Sequence, residues 1–416
     1  MVNDQADGWL QQAEEAGNLL IAYARKNADG WSWKKILNFD DDAAKAGDSQ
    51  FYPGYYHGAS GIADQFLELY KTTKNSSYLF AAERAADYVI SQQTSDEGHN
   101  VWYRAEDSNT AYLGQKYGYA GIATFLANLY NASGNETYLD LLELSLNELL
   151  SFAMRDNKTG GLHWGYNIWT LDSYTDFTYG SAGIAAAFLR AYEITGNTSY
   201  LRTIEEAVSW ILGQGTKAGS GDTEELQIYA SPSPSYRYGF AGYSNGGAGI
   251  GSFFLQLYNT TKNQTYLATA KALGRGLITS MKEGDWTYGG VDYVTDLRNE
   301  LGGYYGYAAG SSGIGIFFLD LFRASGESGF LYPVNIILTR LANTVIKNDN
   351  NVSWRVMKAG YYENQTRTGI DFGVAGIGLF YAKIRQFFGD YGNADTYLFG
   401  IDGFLNESRN SSGLIP

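Results

Sequence analysis

Any chemistry in this chain comes from carboxylates, phenols, amides and three imidazoles, because its 416 residues include no cysteine. That absence removes thiol nucleophiles, disulfides, iron–sulfur clusters and cysteine-held zinc. His57, His99 and His163 are too few for a nitrogen-rich metal site. Carboxylates are the other catalytic candidates, since sugar-cleaving enzymes pair an acid with a base or nucleophile. Asp40, Asp41, Asp42, Asp172, Asp176, Asp292, Asp296 and Asp371 could contribute to such a pair. None recurs at a spacing that selects two partners, and aspartate in turns ordinarily solvates loops and caps helices. Another signal is denser. Asn-x-Ser/Thr occurs at Asn75, Asn131, Asn135, Asn157, Asn197, Asn259, Asn263, Asn351, Asn364, Asn406 and Asn410. Chance placement predicts about four such triplets in this composition, so these asparagines are candidate glycan acceptors. Six of them fall in short polar turns, where Asn and Ser/Thr are favoured for structural reasons too.

The elements that must carry these residues are set by a repeat. Gly-x-(Ala/Ser)-Gly-Ile occurs at Gly58–Ile62, Gly118–Ile122, Gly180–Ile184, Gly246–Ile250, Gly310–Ile314 and Gly373–Ile377. The second glycines are 60, 62, 66, 64 and 63 residues apart. An apolar helix follows each motif, as in Ile62–Tyr70 and Ile250–Tyr258, with apolar residues crowding all its sides. A polar turn then leads through Tyr-Leu (Tyr78-Leu79, Tyr138-Leu139, Tyr200-Leu201, Tyr266-Leu267) into an amphipathic helix. With an N-terminal outer helix over about 8–27, the count is six buried and six amphipathic helices. This predicts an all-α, (α/α)6 toroid of twelve helices in one domain, 1–416, with six repeats of about 63 residues. A C-terminal extension over 389–416 is left to dock on a neighbour or fold back.

The glycines sit where inner helices start, which predicts close backbone approach. It also allows the converging helix N-termini to attract anions. Long connections, for example 94–117, 155–179 and 283–309, separate each outer helix from the next inner one, and together the connections carry Trp31, Trp33, Trp102, Trp164, Trp169, Trp286 and Trp354. Gly160–Tyr166 and Asp285–Tyr293 read as short β-hairpins on one face. The aromatics there either line a mouth for sugars or peptides or serve as satellite core.

Six glycine motifs opening inner helices closely resemble the lanthionine synthetase C-like family, over roughly Trp9 to Phe388. The resemblance implies an (α/α)6 toroid. It also implies, for the family's cyclases, a central zinc held by two cysteines and a histidine just before these glycines. Here those places read Tyr56-His57, Lys116-Tyr117, Thr178-Tyr179, Ser244-Asn245, Ala308-Ala309 and Asp371-Phe372. Only His57 resembles a ligand, so cyclase activity is not carried over and no cofactor or metal is expected.

Partners follow from charge and composition. Against 30 Lys+Arg stand 44 Asp+Glu, a net charge of -14 that repels nucleic acid. No apolar run reaches a membrane span, and the polar start is not a signal peptide, so a leader has been removed or the protein is cytosolic. Sequon density, 35 Tyr and low charge favour the cell exterior. The expectation is a secreted, N-glycosylated, non-catalytic toroid that self-assembles, as a homo-oligomer or filament. The alternative is a glycan- or peptide-binding protein, or a glycoside hydrolase or lyase, that uses the aromatic mouth.

Overall fold

Each glycine motif does start a helix. The computed structural model describes residues 2–34, 50–106, 108–230, 241–282, 305–348, 351–355 and 366–411. Helix α1 (Val2–Tyr23) leads into the hairpin β1 (Arg25–Asn27) and β2 (Gly30–Ser32). Repeat one follows with α2 (Ala59–Thr73), α3 (Ser76–Ser91), β3 (Gln93–Asp96) and β4 (His99–Trp102). Repeat two is α4 (Tyr119–Ser133), α5 (Glu136–Ser151), β5 (Ala153–Arg155) and β6 (Leu162–Trp164). Repeat three is α6 (Ser181–Thr195), α7 (Ser199–Gly213), β7 (Gly215–Ala218) and β8 (Glu225–Ile228). Repeat four holds α8 (Gly247–Thr261) and α9 (Gln264–Lys282); repeat five holds α10 (Ser311–Ser325), α11 (Leu331–Thr344), β9 (Ile346–Asn348) and β10 (Asn351–Ser353). Repeat six is α12 (Val374–Phe388) and α13 (Ala394–Ser411).

Among the described residues there are thirteen α-helices, one more than the sequence count. The additional helix is α13, which lies where a C-terminal extension was expected. It folds back onto its own chain: the Tyr397 ring stacks on Tyr381 at 4.7 Å and lies 5.9 Å from Trp354.

Two compact units result. The first comprises the described residues up to Trp210 except Thr175–Phe177, and the second comprises those three and everything described from Ile211 onward. Within the first, α2 packs on α4 and α4 on α6, each backed by its own outer helix. Within the second, α8, α10 and α12 pack in the same succession. A Cβ on Gly61 would lie 1.8 Å from the Tyr55 carbonyl oxygen, and one on Gly249 1.8 Å from that of Tyr243. No L-residue with a side chain fits there. The need is space, not a left-handed backbone.

The connections are hairpins pinned to outer helices. Strands pair antiparallel directly after the outer helix, as in Gln93↔Trp102 and Ala153↔Trp164. The strand partner of Leu162–Trp164 is thus Ala153–Arg155, earlier than the Gly160–Tyr166 segment suggested; Asp285–Tyr293 lies outside the described residues. At the hairpin end a buried tryptophan donates its indole N–H back to the helix. Trp33 reaches the Leu20 carbonyl at 2.7 Å, Trp102 the Val89 carbonyl at 2.8 Å, Trp164 the Leu149 carbonyl at 2.6 Å and Trp354 the Leu341 carbonyl at 2.8 Å. These four are core, not mouth. Trp31 and Trp169 remain accessible, and Trp286 lies outside the described residues.

Candidate functional site

The residues just before the glycines are brought into line by the backbone. In the first unit Tyr56 N–H donates to the Lys116 carbonyl at 2.9 Å, and Lys116 N–H to that of Thr178 at 3.1 Å. In the second, Ser244 N–H donates to the Ala308 carbonyl at 2.7 Å, and Ala308 N–H to that of Asp371 at 2.9 Å. Neighbouring repeats therefore present equivalent positions side by side.

In the first unit those positions carry an aromatic cluster. His57 lies 5.4 Å from Tyr117, whose ring is 6.4 Å from Tyr179 and 5.5 Å from Tyr112. Tyr166 joins Tyr112 and Tyr179 at 4.9 and 5.1 Å. The Lys116 ammonium sits 5.3 to 6.0 Å from Tyr117, Tyr179 and Tyr56, and the Arg104 guanidinium 4.8 Å from Tyr117. These rings are half-buried, which leaves faces for a ligand's C–H groups and cations for its acceptors. Burial pushes the Tyr166 phenol well above its ordinary range, so it stays a hydrogen-bond donor.

Such residues do not fit zinc. Before the glycines this chain places phenol, ammonium, hydroxyl, amide, methyl, phenyl and a single carboxylate (Asp371) where a thiolate set is expected, and the one imidazole packs on Tyr117. The helix starts are less open to an anion than their number suggests. The first N–H groups are already taken by carbonyls of the incoming connection: Ala59 to Tyr52, Tyr119 to Tyr112, Ser181 to Tyr174 and Ala248 to Ala241. At these four starts an early donor is already used, which reduces what the helix offers an anion.

Below the tyrosines runs a polar chain that the apolar reading of the inner helices missed. Asp64 accepts a hydrogen bond from Tyr55 and one from Asn128 at 2.7 Å, and Asn128 accepts from Arg190 at 2.6 Å. Burial raises the Asp64 carboxyl above its usual range, outweighing those donors. Part of the signal was legible: seven residues after each second glycine stand Glu68, Asn128, Arg190, Gln256, Asp320 and Lys383, a position that is polar in every repeat, although Asp64 lies outside it.

The other candidates separate. Asp172 is exposed, Asp176 is buried beside Asn245 (3.4 Å), and Asp371 is half-buried. Asp40, Asp41, Asp42, Asp292 and Asp296 lie outside the described residues. His99 binds Glu148 at 2.9 Å, and His163 stacks on Trp210 at 4.9 Å with its Nδ1 2.8 Å from the Ser173 hydroxyl. Both fasten hairpins to outer helices.

Of the sequons, Asn75, Asn131, Asn135, Asn157, Asn197, Asn259 and Asn263 are exposed and Asn351 is half-buried at the start of β10. Asn406 and Asn410 fall within α13, and Asn364 lies outside the described residues. Asn75, Asn135, Asn197 and Asn263 cap outer helices, each side-chain oxygen accepting the N–H two residues on at 3.0 to 3.1 Å.

Comparison places this architecture. A D-mannose isomerase structure is similar at a TM-score of 0.56 and 15% identity, covering 95% of this chain and 98% of the other. A family 76 α-mannanase of Bacteroides thetaiotaomicron gives 0.53 at 14%, over 97% and 96%. Cellobiose 2-epimerase of Bacillus thermoamylovorans gives 0.54 at 11%, over 96% and 100%. At such identities the likeness shows the fold alone, the (α/α)6 toroid. The lacticin 481/lactococcin biosynthesis protein LcnDR2 of Lactococcus lactis subsp. lactis is 26% identical over 125 residues, 30% of this chain but 11% of that protein's length. The family described as lanthionine synthetase C-like protein matches residues 9–157, 103–218 and 155–293. That span takes in the first four glycine motifs and the tyrosine cluster, and the last two motifs continue the pattern: the chain belongs to the lanthionine synthetase C-like family.

Proposed function

We propose that this protein is a non-catalytic, N-glycosylated toroid that works outside the cell by associating with copies of itself. One observation carries the reading. The exposed inner-to-outer turns of repeats one to four hold sequons, whereas the turns of repeats five and six hold none. There the surface is aromatic instead: Tyr332, Phe388 and Tyr391 are 51%, 37% and 49% exposed. In the first unit a different apolar surface, Trp169 and Leu171 at 50% and 82%, lies in the connection that leads into α6. Tyr103 stacks on Trp169 at 6.4 Å. Two unlike patches favour a heterologous contact, which extends head to tail when rotation does not close it.

Native protein imaged by negative stain should form ordered polymers, and glycopeptide mapping should find sugars at the turn sequons. Replacing Trp169 and Leu171 with serine should return monomers with an unchanged melting temperature. Monomers from the unaltered protein at every concentration, or bare asparagines throughout, would sink the proposal.

A second reading rests on the half-buried tyrosines around Lys116: recognition of a neutral glycan or a peptide at that cluster. Saccharide or peptide titration that loses its signal in Tyr117→Ala would favour it.

A further inference from the structure

A separate cavity of about 740 Å³ lies wholly within the second unit, along α8, α10 and α12. Its volume suits a ligand of one or two sugar rings. Asp320 and Lys383 form an ion pair of 3.1 Å in its wall, with Gln256 beside them at the matching position of α8. Lys262, the left-handed C-cap of α8 at φ 58°, and Arg323, in the last turn of α10, complete the charged lining. Among the described residues neither forms an ion pair; Lys262 lies 5.9 Å from the Tyr258 ring and Arg323 5.4 Å from Phe387. Three cations therefore face one carboxylate, in a chain whose net charge is -14.

We propose that this cavity binds a carboxylated pyranose, a uronic-acid unit. Its carboxylate accepts from the Arg323 guanidinium and the Lys262 ammonium, the cations whose charge nothing else neutralises. Its hydroxyls exchange hydrogen bonds with the Gln256 amide and with the Asp320–Lys383 pair, which offers acceptor and donor together. The Tyr258 ring supplies a flat face for the sugar's C–H groups. The site differs from the tyrosine cluster in chemistry as well as place. It is built toward the C-terminal ends of its helices, and its excess positive charge selects an anion.

Titration calorimetry of the full chain tests this at low ionic strength, with sodium glucuronate, glucose and inorganic phosphate as probes. Glucuronate should bind one to one, at least tenfold tighter than either comparison ligand. Arg323→Gln and Lys262→Gln should each weaken it about tenfold while leaving the melting temperature unchanged, since both side chains are exposed. Tyr117→Ala, in the other unit, should leave its affinity unaltered. Equal affinity for glucose would mean the cations take no part, and phosphate binding as tightly as glucuronate would mean the ring is not recognised. Either result, or no heat with glucuronate, overturns the proposal.

Discussion

Asp64 and Glu148 are both mostly buried carboxylates, yet their surroundings drive them in opposite directions. Burial dominates at Asp64 and raises its carboxyl. Stability from that raised group is present below the unfolded carboxylate range and is lost as pH rises through the folded value. Urea unfolding should therefore show wild type losing stability relative to Asp64→Asn between pH 4 and pH 7.5; a difference independent of pH would refute the assignment. Burial also opposes ionisation at Glu148, but the Asn100 backbone N–H, His99 and the Asn100 amide together outweigh it and lower the carboxyl. Its contribution is present above the usual carboxylate range and fades as pH falls through the lowered value. Glu148→Gln should thus cost most near neutrality and progressively less in acid.

The six inner helices were legible in place if not to the residue, because glycine is demanded where a carbonyl oxygen comes within 1.8 to 2.2 Å of the missing Cβ, as at Gly61, Gly121, Gly249, Gly313 and Gly376. Gly249→Val should cost about 3 kcal/mol or abolish folding, read as a fall in melting temperature. The hairpins were legible only in part. Three- and four-residue strands carry too little alternation to register, and Trp102 reads alike as a binding aromatic or a pin. Only its bond to Val89 distinguishes the two. Trp102→Phe, which keeps the ring and deletes the donor, should lower stability by about 1–3 kcal/mol in a denaturant titration. The polar residue seven places after each second glycine stands out only when the six repeats are aligned; it supplies the Asn128–Arg190 link of the first unit and the Gln256, Asp320 and Lys383 lining of the second unit's cavity.

For the whole molecule, the residues before the glycines offer no thiolate set to hold the zinc that the family's cyclases are expected to use, and that is visible in the sequence. Metal analysis should find less than stoichiometric zinc, and a chelator should leave the melting temperature unchanged; one zinc per chain, lost in His57→Ala, would reverse it. The turn composition already pointed to capping, and the structure adds the atoms: Asn75, Asn135, Asn197 and Asn263 each accept, through the side-chain oxygen, the N–H of the Ser or Thr that completes the sequon. That arrangement has a temporal consequence. A transferase must grip both the asparagine and the Ser or Thr two residues later, and in the finished fold that pair is wound into a helix start. On the glycosylated reading proposed above, sugar addition competes with folding, and each turn is open for modification only before its outer helix closes or when that helix frays. Occupancy along the four turns would then act as a clock, recording how long each repeat remained unwound. Slowing the folding of one repeat should raise modification at its own turn and leave the other three unchanged.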